Sequence, residues 1–113
     1  MNISGSGGDG LDLSGTLLLC RDSRFEFNSD KGVSVGEKSR ADIYASMFNG
    51  NQFGIANKDQ STLKIEGSTF QNNNIALAEF IKKPYFGKPA VSQKDNKYLA
   101  NKSDYKWLGF YRY

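Results

Sequence analysis

The sequence predicts an all-β fold: a parallel β-helix, a solenoid of about 22 residues per coil with four to five coils in 113 residues. The first observation behind this is a repeat. Gly10-Leu11 recurs as Gly32-Val33, as Gly54-Ile55 and, more loosely, as Ala76-Leu77, each step being 22 residues. A second set keeps pace with it. Ser23, Ser46 and Ser68 are followed by Phe25, Phe48 and Phe70 and then by Asn28, Asn51 and Asn73, while Cys20, Ile43 and Ile65 stand three positions before each serine. Self-similarity at such a period marks a solenoid, and paired-helix repeats need about 33 residues or more. The second observation is the local period. Leu63-Lys64-Ile65-Glu66 alternates apolar and charged residues, which is strand spacing, and each apolar run is too short for a helix. The third is punctuation by Gly and Asn, which suits turns with unusual backbone angles.

The columns have physical reasons. Asn tolerates the left-handed backbone of a tight turn. Coils stacked about 4.8 Å apart let each Asn amide bond to the next. The phenylalanines are expected to stack inside the coil. Cys20, in line with Ile43 and Ile65, is expected as a buried small hydrophobe, and as the single cysteine it forms no intrachain disulfide.

Taken in order, residues 1–10 read as a polar, Gly-rich loop, and the first strand begins at Leu11. Residues 16–36 form one coil, and 37–59 and 60–81 the next two. Residues 82–90, KKPYFGKPA, contain both prolines of the chain and read as an inserted loop. A degenerate last coil follows over 91–113. Val91, Gln93, Asn96, Tyr98 and Asn101 each stand 28 residues after Leu63, Ile65, Ser68, Phe70 and Asn73. The aromatic end, led by Trp107 and Phe110, is expected to cap that coil, because stacked strands otherwise end bare. All of residues 1–113 form a single domain.

The segments GVSVGEKS and GIANKDQSTLKIEGSTFQNN resemble the right-handed parallel β-helix repeats of bacterial exported proteins in the pectin-lyase-like superfamily. The resemblance covers residues 7–81 and implies a right-handed coil. It implies no single activity, since this scaffold carries lyases, glycosidases, epimerases, tailspikes and adhesins. An exported or cell-surface location, as part of a longer parent, is the matching expectation. The N-terminal MNISGSGGDG is polar and lacks the features of a secretory signal. The uncapped first strand points to missing upstream coils or to end-to-end self-association.

Charge divides the chain. Residues 1–81 hold seven Lys/Arg and ten Asp/Glu, a net of −3, whereas residues 82–113 hold eight Lys/Arg and two Asp, a net of +6. No run of about 18 apolar residues exists to span a membrane as a helix. The absence of histidine argues against His-based acid–base catalysis and most zinc sites.

Candidate residues follow from these patterns. Lys82, Lys83 and Lys88 surround Tyr85 and Phe86, an arrangement suited to an acidic polysaccharide. The rings stack on the apolar sugar face while ammonium groups meet carboxylate or sulfate. Asp9 and Asp12, in GGDGLDLS, partly match a calcium-binding nonapeptide, so Ca²⁺ is the one cofactor to consider. Ser14 breaks the apolar position, no second copy follows, and a structural turn is the simpler reading. The same pair suggests the acid–base carboxylates of polygalacturonase-like enzymes, but its stacked equivalents are Lys31, Phe53 and Ile75 for Asp9 and Ser34, Ala56 and Ala78 for Asp12, none of them acidic. Arg21 or Arg24 with Asp42 could imitate a pectate-lyase-like base, although solvated surface charge explains them as well. No catalytic residue is assigned. The expected function is that of a noncatalytic β-helix segment, serving as scaffold or polysaccharide contact. One alternative is a fragment of a polysaccharide lyase or glycoside hydrolase, which needs Asp, Glu or Arg clustered on one stacked face. Another is nucleic-acid binding by the basic aromatic C-terminal part, which a β-helix host disfavours.

Overall fold

Three short apolar runs per repeat give three strands per coil, and the computed structural model, which describes residues 1–110, shows them stacked in register. The first coil comprises β1 (Asn2–Ser4), β2 (Leu11–Ser14) and β3 (Leu17–Arg21). The second comprises β4 (Arg24–Glu26), β5 (Lys31–Gly36) and β6 (Arg40–Tyr44), and the third β7 (Met47–Asn49), β8 (Phe53–Lys58) and β9 (Thr62–Glu66). The fourth comprises β10 (Thr69–Gln71), β11 (Ile75–Ile81) and β12 (Ala90–Lys94), and β13 (Lys97–Leu99) and β14 (Ser103–Phe110) begin a fifth. The strands assemble into three parallel sheets, β1-β4-β7-β10-β13, β2-β5-β8-β11-β14 and β3-β6-β9-β12. Among the described residues there is no helix, hence none long and apolar enough to cross a membrane.

The N-terminal segment is not all loop. Asn2–Ser4 pairs with β4, and Ile3 stands beside Phe25 and packs on the core. A three-residue strand with one apolar side chain leaves no periodic trace, which is why the polar composition hid it.

The phenylalanine column is the axis of the interior. Phe25, Phe48 and Phe70 are fully buried, with ring centroids 5.1 and 4.8 Å apart and planes within 12° of parallel, and Tyr98 extends the stack at 5.1 Å. Cys20 is buried in register with Ile43, which lies beside Ile65. Val33, Ile55 and Leu77 form the opposing wall. The Gly of each Gly-apolar pair lies where two coils approach most closely. A Cβ on Gly32 would stand 2.6 Å from the Gly54 carbonyl oxygen, and one on Gly54 2.5 Å from that of Ala76. Only glycine allows that approach.

The asparagine column forms a continuous amide ladder. Asn51 Oδ1 accepts from the backbone N–H and the side-chain Nδ2 of Asn28, at 3.0 and 2.9 Å. Asn51 Nδ2 donates to Asn73 Oδ1 at 3.2 Å and to the Phe25 carbonyl at 2.9 Å. Asn73 repeats the pattern with Asn101 Oδ1 and the Phe48 carbonyl. The left-handed residue is not the ladder asparagine but the one before it: Phe27, Gly50, Asn72 and Ala100 have φ of 55°, 70°, 56° and 55°. That turn aims the next side chain into the coil, where it serves the corner's backbone. The other two corners use hydroxyls, with one amide, Asn96, at the last step. Ser23 N–H donates to Ser46 Oγ, Ser46 N–H to Ser68 Oγ and Ser68 N–H to Asn96 Oδ1. Thr16 N–H and Ser39 N–H likewise donate to Ser39 Oγ and Ser61 Oγ.

Strands β5, β8 and β11 are buried at every position. Their outward residues form a second apolar cluster of Phe53, Ala56, Ile75, Ala78 and Phe80, against which Leu108 packs. At the C-terminal end, β14 pairs with β11, placing Trp107 beside Glu79 and Phe110 beside Ile81. Both aromatics are exposed, at 42% and 72%. The segment expected to fold across the last coil thus runs as a further rung over 103–110, where it satisfies the hydrogen-bonding edge of β11; residues 111–113 of the expected cap lie outside the described residues.

Phe48→Ala should destabilise the protein by about 3–5 kcal/mol through lost burial and the cavity left behind. Asn51→Ala should cost about 2–4 kcal/mol, because buried partners in the adjacent coils lose their hydrogen bonds. Urea unfolding of both variants checks these values, and a loss below about 1 kcal/mol for either would contradict the assigned burial.

Candidate functional site

Residues 82–89 join β11 to β12, where three residues suffice between β5 and β6 and between β8 and β9. The insertion is anchored to the corner one coil back. Asp59 Oδ1 accepts the N–H of Lys82 at 2.8 Å and of Lys83 at 3.0 Å, and Gln60 Oε1 accepts that of Gly87 at 3.2 Å. Phe86 N–H closes a turn onto the Lys83 carbonyl at 3.0 Å. Lys83 Nζ lies 3.1 Å from Glu37, and this contact holds the Glu37 carboxyl below its ordinary range and the Lys83 ammonium above its own. Tyr85 is 77% exposed and tilts against Phe86, with centroids 4.8 Å apart. Lys88 Nζ stands 5.4 Å from the centre of the Trp107 ring. The five candidates thus share one anchored loop, with Lys82, Tyr85 and Lys88 outermost and Lys83 and Phe86 half-buried. Lys83 is engaged structurally, which its position in the sequence does not reveal.

Asp9 is placed differently. Its Oδ1 accepts the Lys31 N–H at 3.3 Å, and Lys31 Nζ lies 3.6 Å away and 2.9 Å from Asp30. Burial pushes the Asp9 carboxyl up, with Lys31 opposing. A buried ammonium therefore supplies the positive charge beside Asp9. Asp12 is in register with Ser34, which stands beside Ala56, and Ala56 beside Ala78. Among the described residues no three Asp, Glu, His or Cys side chains converge to hold a metal. Asp42 pairs with Arg40 at 3.3 Å, Arg24 with Glu26 at 3.8 Å, and Arg21 lies over the Tyr44 ring at 4.6 Å, so neither arginine is joined to Asp42.

The columns on either side of the asparagine ladder bound a groove of about 820 Å³ that sequence reasoning missed. One wall carries Phe27, Gly50 and Asn72, and the other Gln52, Asn74 and Lys102. Phe27 is 62% exposed, and the Cδ1–Cε1 edge of its ring rests against Gly50, where an added Cβ would meet Cδ1 at 2.5 Å and Cε1 at 2.7 Å. A bulky residue in the left-handed region stores about 1–3 kcal/mol of strain. The signal was available one position either side of the ladder asparagines.

At the C-terminal end, Tyr105 donates its hydroxyl to Glu79 at 2.7 Å, and Glu79 accepts from Asn57 Nδ2 at 3.0 Å. Burial, and then the Asp104 carboxylate, pushes the Tyr98 phenol up to about 12. Burial and the hydrogen bond to Glu79 raise that of Tyr105 to about 12 as well.

No protein-family model, curated protein or solved structure matches the chain. The parallel β-solenoid architecture therefore rests on the repeat and on the strand register.

The two tyrosines imply a pH dependence. Both phenols stay protonated in the folded chain while the unfolded chain ionises near 10, so their contribution is intact below pH 10 and is lost as pH rises toward about 12. Thermal unfolding should show a falling midpoint over that interval, and a Tyr98→Phe/Tyr105→Phe double variant should fall less. An equal fall in both proteins would contradict the assignment.

Proposed function

We propose that the chain is a noncatalytic segment of a right-handed β-helix protein of the pectin-lyase-like kind, acting outside the cell as a scaffold that holds acidic polysaccharide at the 82–89 loop. The loop itself is the observation that carries this reading. It interrupts an otherwise regular coil, is tied down through Asp59 and Gln60, and presents Tyr85 and two outermost lysines. Anchoring lowers the ordering entropy that binding would otherwise require. The exposed ring offers a face to the sugar, and the ammonium groups of Lys82 and Lys88 meet carboxylate or sulfate groups along the polymer. The noncatalytic reading is supported by the outer charges, which pair along their own strands as Arg24–Glu26, Arg40–Asp42 and Lys64–Glu66. Extracellular placement follows from the ligand class, since acidic polysaccharides are met at cell surfaces and in secreted matrices.

Affinity electrophoresis through polygalacturonate and through a sulfated polysaccharide tests the reading. Changing Lys82, Lys83 and Lys88 together to Ser should abolish retention while moving stability by no more than about 0.5 kcal/mol, because water screens the Lys83–Glu37 pair, in which each side chain is 38% exposed. Unchanged retention at the same salt would remove the loop from the contact. Release of shortened products would make the chain an enzyme fragment, and salt-sensitive oligonucleotide binding would favour nucleic acid instead.

A further inference from the structure

The geometry points to a second binding site, the groove along the asparagine ladder, which takes a neutral polysaccharide lying across the rungs with Phe27 as its stacking platform. The groove lies at the corner between β4 and β5 and its equivalents in later coils, and the inference does not rest on the 82–89 loop. Its floor is the ladder itself, whose amides are saturated by one another and by backbone carbonyls. A saturated floor is rigid and leaves recognition to the rims.

The rims have the chemistry of sugar recognition. Gln52 and Asn74 present side-chain amides with donors and an acceptor, and Asn72, whose Nδ2 donates to Asn49 Oδ1 at 3.3 Å, adds an acceptor oxygen and a remaining N–H, which is what a sequence of hydroxyls requires. Lys102 is the one charged side chain among the described residues lining the groove, so an uncharged polymer fits better than an acidic one. Phe27 supplies the apolar face. Burial in the core does not account for it, since 62% of it is exposed, and its backbone adopts a left-handed φ of 55° that Gly50 and Asn72 adopt more easily at the same position of later coils. One edge of the ring rests against Gly50, where a side chain on that residue would displace it. An exposed aromatic braced along one edge on a strained backbone is a preorganised platform. The spacing agrees as well. Rungs repeat about every 4.8 Å, close to the advance of one pyranose in an extended chain, so successive sugars meet successive rims in the same way.

The test uses soluble neutral polymers, namely a mixed-linkage β-glucan, xyloglucan, galactomannan and a chitin oligomer, in affinity electrophoresis and titration calorimetry on the whole chain. Wild-type protein should bind at least one of them. Phe27→Asn places at the corner a residue type already used there at Asn72, so it should fold at least as stably as wild type and bind at least tenfold more weakly. Gln52→Ala with Asn74→Ala should also weaken binding, whereas the triple lysine-to-serine variant of the loop should bind neutral polymer unchanged. Absence of wild-type binding to all four, or unaltered binding by Phe27→Asn, overturns the inference. Loss of neutral-polymer binding in the loop variant alone would also overturn it and would assign the contact to the loop. Loss of polygalacturonate retention in the loop variant bears only on the loop.

Discussion

The structure depends on hydrogen bonds at the corners, where strand pairing stops. Within each sheet, backbone groups find partners in the coils above and below, but three times per coil the chain must turn while staying buried. A buried N–H without a partner is rarely tolerated. At one corner the Asn28, Asn51, Asn73 and Asn101 amides solve the problem in series: Asn28 accepts the Ser6 N–H, and each of the other three accepts from the backbone and side chain of the asparagine in the coil before it. Serine hydroxyls take the same part at the other two corners. These ladders join coil to coil at fixed height, so they set the register that stacks the phenylalanines and forces glycine where coils approach at Gly32 and Gly54.

The same constraint explains which features of the fold are legible in the amino-acid sequence. A solenoid places equivalent positions directly above one another, so columns that share a physical task share a residue type. The Phe, Asn, Gly and Ser23-type columns are legible for that reason, as is the displaced register of Val91, Tyr98 and Asn101 after the insertion. The identity of the left-handed residue is hidden because Asn72, Asn73 and Asn74 adjoin, and a composition rule cannot say which of them turns the chain. The burial of both faces of β5, β8 and β11 is masked by Lys31 and Lys58, whose charges read as solvent-facing although both are buried. Burial lowers the readiness of the Lys58 ammonium to hold its proton, with Lys82 and Lys31 adding to the effect.

Candidate sites are harder to read because they depend on single coils departing from the repeat. The loop is visible as an insertion with a charge shift, yet its anchoring by Asp59 and Gln60 joins residues 23 to 27 positions apart that share no motif. The pairing of Asp9 with Lys31 is likewise a contact between neighbouring coils. The groove beside the ladder needs no such contact to be noticed, only attention to the flanking columns, in which Phe27 is the one bulky residue at a position otherwise filled by Gly, Asn or Ala. In both cases a regular scaffold supplies rigidity and an irregular residue supplies the chemistry.

Native-state hydrogen exchange at the backbone amides of Asn28, Asn51 and Asn73 tests the role of the ladder most directly, since each donates to the side-chain oxygen of the next ladder asparagine and not to a strand. The account predicts that these three amides exchange only through global unfolding, at the same slow rate as the buried amides of Val33, Ile55 and Leu77. Exchange at the rate of the exposed loop amide of Gly87 would show that the corners open independently and that the ladder does not hold the coils in register.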